Sequence, residues 1–596
     1  MISEQRTTGG SLAGQLERLT FDIVIIGSGL AGMRAALQAA RVSDGKLKIA
    51  LVSKLHAMRS HSVSAEGGIS GVLYPGEGGD TEELHAFDTV KGGDYLGDQP
   101  AIETLVAEAP KEIRFFEHLG VPWNRDEAGR IVLRAFGGMT VPRTVFAADK
   151  TGFFMLSTLY DNILRFDNIT IFHEHYTTDL LLKDGEFKGV IALDLATGQA
   201  KHFAAPSGII ATGGFARMYG FTTTAYSSTG DGIALAFKAG LPIKDMEFVQ
   251  FHPTGMIPTG VLITEAARGE GGYLLNSENR RFLDLYAKSK MELAPRDIIS
   301  RAMITEMNAG RGLVHQVSGM SHMLLDLRHL GEEKIDERLP MIKELAIKRL
   351  NINPAFEPIP VRPTAHYTMG GIHVGLGGEI MSADGSTPVA GLWAAGECGC
   401  VSVHGANRLG SNSLSHCVIW GRLTGEAAAA RAQAVKSRPD AADTREQVDA
   451  ALGGIQALLD RKAGEDPYQL RRELWETMDA NVHVYRETKK LEAAREKLAE
   501  LRERFATASV RDRSDVYNTN LRDTLEIGNM IELAQSVVAG ALGRKESRGG
   551  HAMVEYPKRD DAAFLKHTLI HRTERLPKVS YRDVSITKWQ PMERTY

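Results

Sequence analysis

The chain has 596 residues, of which 43% are apolar and 24% charged, an ordinary soluble composition whose length exceeds what one core supports and points to roughly two to four domains. A net charge of -4 and a pI near 6.6 leave no excess of positive charge to track a phosphate backbone, so no nucleic-acid role is expected, while small anionic substrates stay open through local clusters. Cys398, Cys400 and Cys417 are the only cysteines and share one short stretch, which excludes a secreted disulfide scaffold and falls short of the thiols that ligate an iron-sulfur cluster.

No apolar run approaches the ~20 residues that span a bilayer. The N-terminal stretch is polar, and Glu4 and Glu17 argue against an acidic-poor transit peptide, so the mature chain is expected to begin near Met1. FDIVII at 21–26 reads as a buried strand; GSGLAG follows at once, then the helical pattern MRAALQAARV and a second apolar run, KIALVSK. Strand, tight turn, helix and strand at this distance make a Rossmann-type opening.

Residues 57–100, rich in Gly, Ser and His, read as long loops over a site, with a short helix near Thr104. ITIFHEHY and FKGVIALDL read as strands, and SGIIATGG repeats the pattern of an apolar strand ending in glycines. Composition becomes mixed between 248 and 363, with the helical stretch RDIISRAMITEMNAG, before GLWAAGE at 391–397 supplies another buried strand. Beyond 420, Val448, Leu452, Ile455 and Leu459, then Leu491, Leu498, Leu501 and Phe505, recur at helical spacing and predict a separate helical bundle. From 546 the periodicity fades into an irregular or β-rich cap. The predicted architecture is α/β: a Rossmann-like dinucleotide domain in two parts (1–247 and 364–430), an inserted α+β capping domain (248–363), a helical domain (431–545) and a C-terminal domain (546–596).

Gly27, Gly29 and Gly32 form the G-x-G-x-x-G whose glycines allow a tight turn, close pyrophosphate approach and close helix packing, with Ser28, Leu30 and Ala31 alongside the phosphates at the helix N-terminus. The second strand ends in Ser53 and Lys54 rather than an acidic residue, which argues against a generic NAD dehydrogenase. A further glycine-rich strand end at Ala211, Thr212 and Gly213, together with AAGE at 394–397, suits a two-part FAD domain. His61, in the loop-like MRSHSVSAEGGIS, reads either as a surface histidine or as a nucleophile toward an activated cofactor carbon.

RSHSVSAEGG, FAADKTGFFML, QFHPTG, TEAARGEGG, PRD, PTAHYTMGGI, HGANRLGSNSL and ESRGGH, in order from about residue 21 to 570, resemble the flavoprotein subunit of succinate dehydrogenase and fumarate reductase. The resemblance implies covalent FAD on His61 and cofactor contacts at Ser60, Ser62, Gly67, Gly68, Asp231, Glu397, Arg408, Ser413 and Leu414. It implies that Arg408 and His366 bind one carboxylate of a four-carbon dicarboxylate, that His252 and Thr264 bind the other, and that Arg296 moves the proton with Glu265 assisting. A guanidinium fork, imidazoles and a hydroxyl are the groups such a substrate requires. It further implies an iron-sulfur partner subunit and one or more membrane anchor subunits handling quinone, at the cytoplasmic face of a prokaryotic inner membrane.

Two other readings differ in specific residues. A soluble fumarate reductase or an L-aspartate oxidase is the nearest enzyme alternative; His61 argues against the oxidase, and the lack of C-x-x-C-H argues against a haem-linked reductase. An FAD-binding module without turnover has no use for His252, Arg296, His366 and Arg408 together. The reaction is reversible, so its direction follows from quinone potential and partners; Glu66 in A-E-G-G and the G-S-N-S-L string tilt toward fumarate reductases and menaquinone-linked members.

Overall fold

A computed structural model describes residues 16–435 and 438–595; Glu4 and the expected start near Met1 lie outside the described residues. Strand β1 (Ile23–Ile26) is buried on both faces, as a central strand of a parallel sheet requires. It turns through Gly27, whose φ of +107° suits glycine, into helix α1 (Leu30–Val42). A Cβ on Gly32 would collide with the Gly27 carbonyl oxygen, so the helix starts directly behind the turn. Strand β2 (Ile49–Val52) returns parallel to β1, with Ile23 opposite Ile49.

The stretch read as loops contains helix α2 (Glu82–Gly92). Its buried face carries His85, Asp88 and Thr89, bonded to Asn412 at 3.0 Å and paired with Arg143 at 2.6 Å, and a polar buried face has no apolar periodicity to read. The short helix expected near Thr104 is α3 (Gln99–Leu119), 21 residues long. Its apolar stripe of Ile102, Leu105, Val106, Ala109, Ile113 and Phe116 runs on through Pro110, a residue that ordinarily marks a helix end. Strand β3 (Ile169–Phe172) then pairs with β2, β4 (Glu186–Asp194) joins an antiparallel extension, and β5 (Ser207–Ile210) lies parallel on the other side of β1.

The chain then leaves the sheet. Strands β6 (Val249–Met256), β7 (Tyr273–Leu275), β8 (Ser321–Asp326) and β9 (Ile359–Thr368) form an antiparallel sheet in the order β6-β9-β8-β7, with helix α4 (Arg296–Glu306) packed on β6. Met256, Ile263, Phe282, Ile299, Met303 and Leu325 give this insertion its own core. Strand β10 (Pro388–Ala394) re-enters the first sheet parallel to β5, Leu392 opposite Gly208.

Helix α5 (Asn412–Ala434) lies along α1 at close range. A Cβ on Gly421 would sit 2.6 Å from the Ala31 carbonyl oxygen, and one on Gly425 2.5 Å from that of Ala35. Helix α6 (Arg445–Asp460) buries Val448, Leu452 and Ile455 against Leu181, Ile191 and Leu193 of the antiparallel strands and against Leu521 of the helical bundle. Helices α7 (Pro467–Asn481), α8 (Thr488–Phe505) and α9 (Thr519–Gly543) form that bundle, and their Leu474, Leu498 and Val537 share one continuous core with the dinucleotide-binding sheet. Strands β11 (Lys566–His571) and β12 (Lys578–Asp583) close the C-terminal cap as a hairpin, with β11 paired to Ile243 and Lys244.

Two predictions test this packing. Gly421→Val places atoms where α1 now lies and is expected to destabilise the fold by about 1–3 kcal/mol and to lower bound flavin, read as a fall in thermal midpoint and in visible absorbance per protein. On β11, burial alone would lower the pKa of His567, but Asp245 at 2.7 Å and Asp98 at 3.2 Å outweigh it and push it up to about 9. The folded state therefore binds this proton more tightly than the unfolded state. Its stabilisation, on the order of 3 kcal/mol, is fully present below the unfolded pKa near 6.5 and is lost as pH rises through 9. The thermal midpoint should fall across that window, and His567→Asn should flatten the fall.

Candidate active site

The C-terminal ends of β1 and β5, the N-terminus of α1 and the inner face of the inserted domain enclose a cavity of about 540 Å³, within the range of cofactor and ligand sites. Gly27, Ser28, Gly29, Leu30 and Ala31 line it, as do Ser53, Lys54, Ser60, His61, Ser62, Gly67 and Gly68. Ala211, Thr212, Gly213, Asp231, Glu397, Ser413 and Leu414 complete its dinucleotide side; His252, Thr264, Glu265, Arg296, His366 and Arg408 line the other end. Of the residues singled out in the sequence only Gly32 is absent from the wall, lying beneath Gly27 where the helix meets the turn.

The wall suits an anionic dinucleotide. Helix α1 begins at Gly29, which has no side chain to cap it, and only Ser62 Oγ, 3.2 Å from the Leu30 N–H, reaches its first turn from across the cavity. Helix α5 begins at Ser411, whose side chain makes no capping bond, and its Ser413 and Leu414 face the same space. Two helix N-termini thus direct their dipoles at one cavity, which favours negative charge. Ser53 Oγ meets Ser28 Oγ at 2.8 Å, bringing the second strand's hydroxyl to the phosphate turn. The Lys54 ammonium is committed to Asp231 at 2.5 Å and Glu526 at 2.6 Å, so its positive charge is already paired within the protein. Burial raises the Glu397 carboxyl to about 7 although Thr368 donates to it through its N–H and hydroxyl.

His61 stands at the junction of the two ends. Its Nδ1 accepts weakly from Ala225 N–H at 3.4 Å, and burial lowers its pKa to about 4, so the imidazole is neutral and its one lone pair is held only by that long contact.

At the far end, two irregularities in one strand pair bring the histidines together. Gln250 faces Tyr367 while Phe251 faces Ala365, so His366 is the extra residue of a β-bulge; a second shift separates His252 from Gly255. Bulges re-aim side chains, and here the two imidazoles meet edge to face with ring centroids 5.0 Å apart. Burial and the nearby guanidinium of Arg296 push both pKa values well below the ordinary histidine range, with Arg408 adding to the effect on each. Arg408 donates to His366 Nε2 at 3.2 Å and to Ser413 Oγ at 2.7 Å. Its guanidinium lies over the Tyr367 ring at 4.4 Å, while its buried Nε has no partner among the described residues.

Arg296, the first residue of α4, meets Glu265 at 2.7–2.8 Å. Burial would raise the Glu265 carboxyl, but the Arg296 and Arg268 guanidiniums, the Arg296 hydrogen bond and the Gly137 N–H at 2.6 Å bring it down to about 2. Thr264 is buried beside it.

Sequence reasoning passed over Gln250. Its Oε1 accepts from Arg296 at 2.9 Å and its Nε2 donates to the Arg408 carbonyl at 2.8 Å, tying the two arginines together. A signal existed, because Gln250 precedes His252 by two positions in a strand and so shares its face. Gly137 and Tyr367 carry no local signal of their own.

Residues 22–414 match the FAD binding domain family, and residues 471–596 match the family of the fumarate reductase flavoprotein C-terminus. The fumarate reductase flavoprotein subunit of Mycobacterium tuberculosis is 45% identical over 592 residues, covering 96% of this chain and 99% of that one. The succinate dehydrogenase flavoprotein subunit of Rickettsia bellii is 42% identical over 561 residues, 92% of each. A solved structure of Escherichia coli quinol fumarate reductase matches with a TM-score of 0.93 and 41% identity, over 97% of this chain and 99% of that chain. With an uncapped glycine turn shaped for FAD and this agreement over nearly its full length, the chain belongs to the family of fumarate reductase and succinate dehydrogenase flavoprotein subunits, FAD-dependent oxidoreductases.

Proposed function

We propose that this chain interconverts succinate and fumarate at FAD joined covalently to His61, exchanging electrons with an iron-sulfur subunit that rests on a membrane anchor handling quinone. The observation that carries the reading is the convergence of Arg408, His366, His252, Thr264 and Arg296 from five separate stretches of chain at one end of one cavity. Arg296 is already committed to Glu265, while the Arg408 guanidinium has no carboxylate partner among the described residues and, with the imidazoles and the Thr264 hydroxyl around it, suits an anionic substrate.

Bound in the cavity, FAD supplies two-electron hydride chemistry at its N5. This chain's residues do the rest. Arg408, steadied by Ser413 and by the Tyr367 ring, presents its fork to one carboxylate, and His366 joins it there. His252 and Thr264 take the other carboxylate, which holds the central carbons between them. Arg296 holds a proton beside those carbons, and Glu265, in direct contact with it, is the group through which that proton is replaced. The insertion keeps water from the cations and strengthens each of these interactions.

His61, neutral and lining the cavity, suits the tether. The quinol fumarate reductase and succinate dehydrogenase relatives support the electron partners, and the paucity of cysteines in this chain fits a cluster carried elsewhere. Among the described residues no helix is long and apolar enough to cross a membrane; the attachment proposed, at the cytoplasmic face of a prokaryotic inner membrane, is peripheral.

The FAD-loaded chain should reduce an artificial dye with succinate and oxidise reduced dye with fumarate; absence of both overturns the reading. Arg296→Gln should keep its flavin and lose about a hundredfold or more in turnover, and near-normal succinate oxidation would remove Arg296 from the proton path. His61→Ser should release its flavin on denaturation, whereas the unaltered chain should show flavin fluorescence in the protein band after denaturing electrophoresis in acid.

A further inference from the structure

We infer that Thr223 is a positioning residue whose hydroxyl lets His366 change hydrogen-bonding role between the free and the dicarboxylate-bound enzyme. The inference rests on the dicarboxylate reading above and adds a residue that neither the motifs nor that reading assigns.

Thr223 belongs to a short segment between the dinucleotide sheet and the inserted domain, and it lines the cavity. Its N–H donates to the Ala365 carbonyl at 3.0 Å, and the neighbouring Thr222 hydroxyl donates to the same oxygen at 2.8 Å. The backbone beside Thr223 is therefore pinned to strand β9 next to the bulge that displays His366. From that position Thr223 Oγ1 lies 2.7 Å from His366 Nδ1.

The other ring nitrogen settles the tautomer. His366 Nε2 is 3.2 Å from an Arg408 nitrogen, and a guanidinium only donates. Nε2 must then accept, so in the free enzyme the proton sits on Nδ1 and is donated to Thr223 Oγ1. A dicarboxylate reverses the requirement at Nε2. To bind an anionic oxygen, the ring has to present Nε2–H, either as the other neutral tautomer or as imidazolium.

A threonine hydroxyl serves all three states by rotation alone. It accepts from Nδ1–H in the free form and in the imidazolium, and donates to Nδ1 in the alternative neutral tautomer. Of the charged and titratable groups around the ring, Arg296 and Arg408 only donate and the neutral His61 and His252 stand beside it; Thr223 is the neighbour whose hydroxyl is hydrogen-bonded to Nδ1. Without the hydroxyl the half-buried ring of the free enzyme can still turn toward water. Once a dicarboxylate occupies Nε2 and covers the ring, Nδ1 is left unpaired, and a buried unpaired polar atom weakens binding. The loss falls on affinity for the dicarboxylate more than on the chemical step.

The test compares Thr223→Val, Thr223→Ser and Thr222→Val in the FAD-loaded chain, with flavin content, kcat and KM for succinate measured by dye reduction across pH. Thr223→Val should raise KM about tenfold or more with a change in kcat of less than about threefold, and should shift the pH dependence of KM. Thr223→Ser should stay within about twofold of the unaltered chain, and Thr222→Val should leave KM near normal at equal flavin content. If Thr223→Val fails to retain flavin, Thr223→Ala, which keeps the backbone bond to Ala365, reads the same quantity. An unchanged KM in the valine or alanine variant, failure of serine to restore it, or an equal rise in Thr222→Val overturns the inference. Absence of succinate turnover in the unaltered chain would instead overturn the dicarboxylate reading on which it rests.

Discussion

The buried contact between Arg296 and Glu265 is the interaction on which the rest of the site depends. Glu265 belongs to the inserted domain, yet it also accepts the Gly137 N–H from the dinucleotide domain, so one carboxylate joins the two bodies across the cavity. Arg296 passes the link through Gln250 to the backbone of Arg408, which sits just before helix α5. Removing one partner of such a buried pair strands a charge and costs about 3–5 kcal/mol, far more than an exposed pair contributes. The contact that keeps the cations desolvated is thus also the one that registers the two domains.

Burying two guanidiniums beside one cavity is costly unless something offsets it. Burial and the like charge of Arg296 push the Arg408 pKa down to about 9, and burial, aided by the same cations, keeps His252 and His366 neutral. The free site is therefore electrostatically unfinished. The Arg408 fork has no carboxylate partner among the described residues, and an anionic ligand there would relieve the repulsion between it and Arg296.

Backbone irregularity does much of the positioning. A regular pairing of β6 and β9 would alternate side chains between faces, and His252 and His366 would have no reason to meet. The two register shifts in that strand pair turn both rings toward the cavity. The cofactor side shows the opposite economy, since a regular strand, turn and helix suffice there and the demands fall on glycines that leave room for close approach.

Much of the cofactor side was legible in the sequence because its determinants are local: an apolar strand, G-S-G-L-A-G, and a helix lie within about twenty residues of one another. His61 and the dicarboxylate residues became legible only through resemblance of whole strings, because no local periodicity distinguishes them from ordinary loop and strand residues. Helix α2 escaped notice since its buried face is polar, and α3 was read too short since Pro110 interrupts an otherwise clear stripe. What the amino-acid sequence determined by itself was the dinucleotide turn, the apolar strands and amphipathic helices with a clear period, and the family. Tertiary structure decided which distant side chains face one another: the bulge at His366, the bridge through Gln250, and the contacts of Gly137 and Thr223. These depend on register and on domain closure over more than a hundred residues of chain, and no local pattern encodes either.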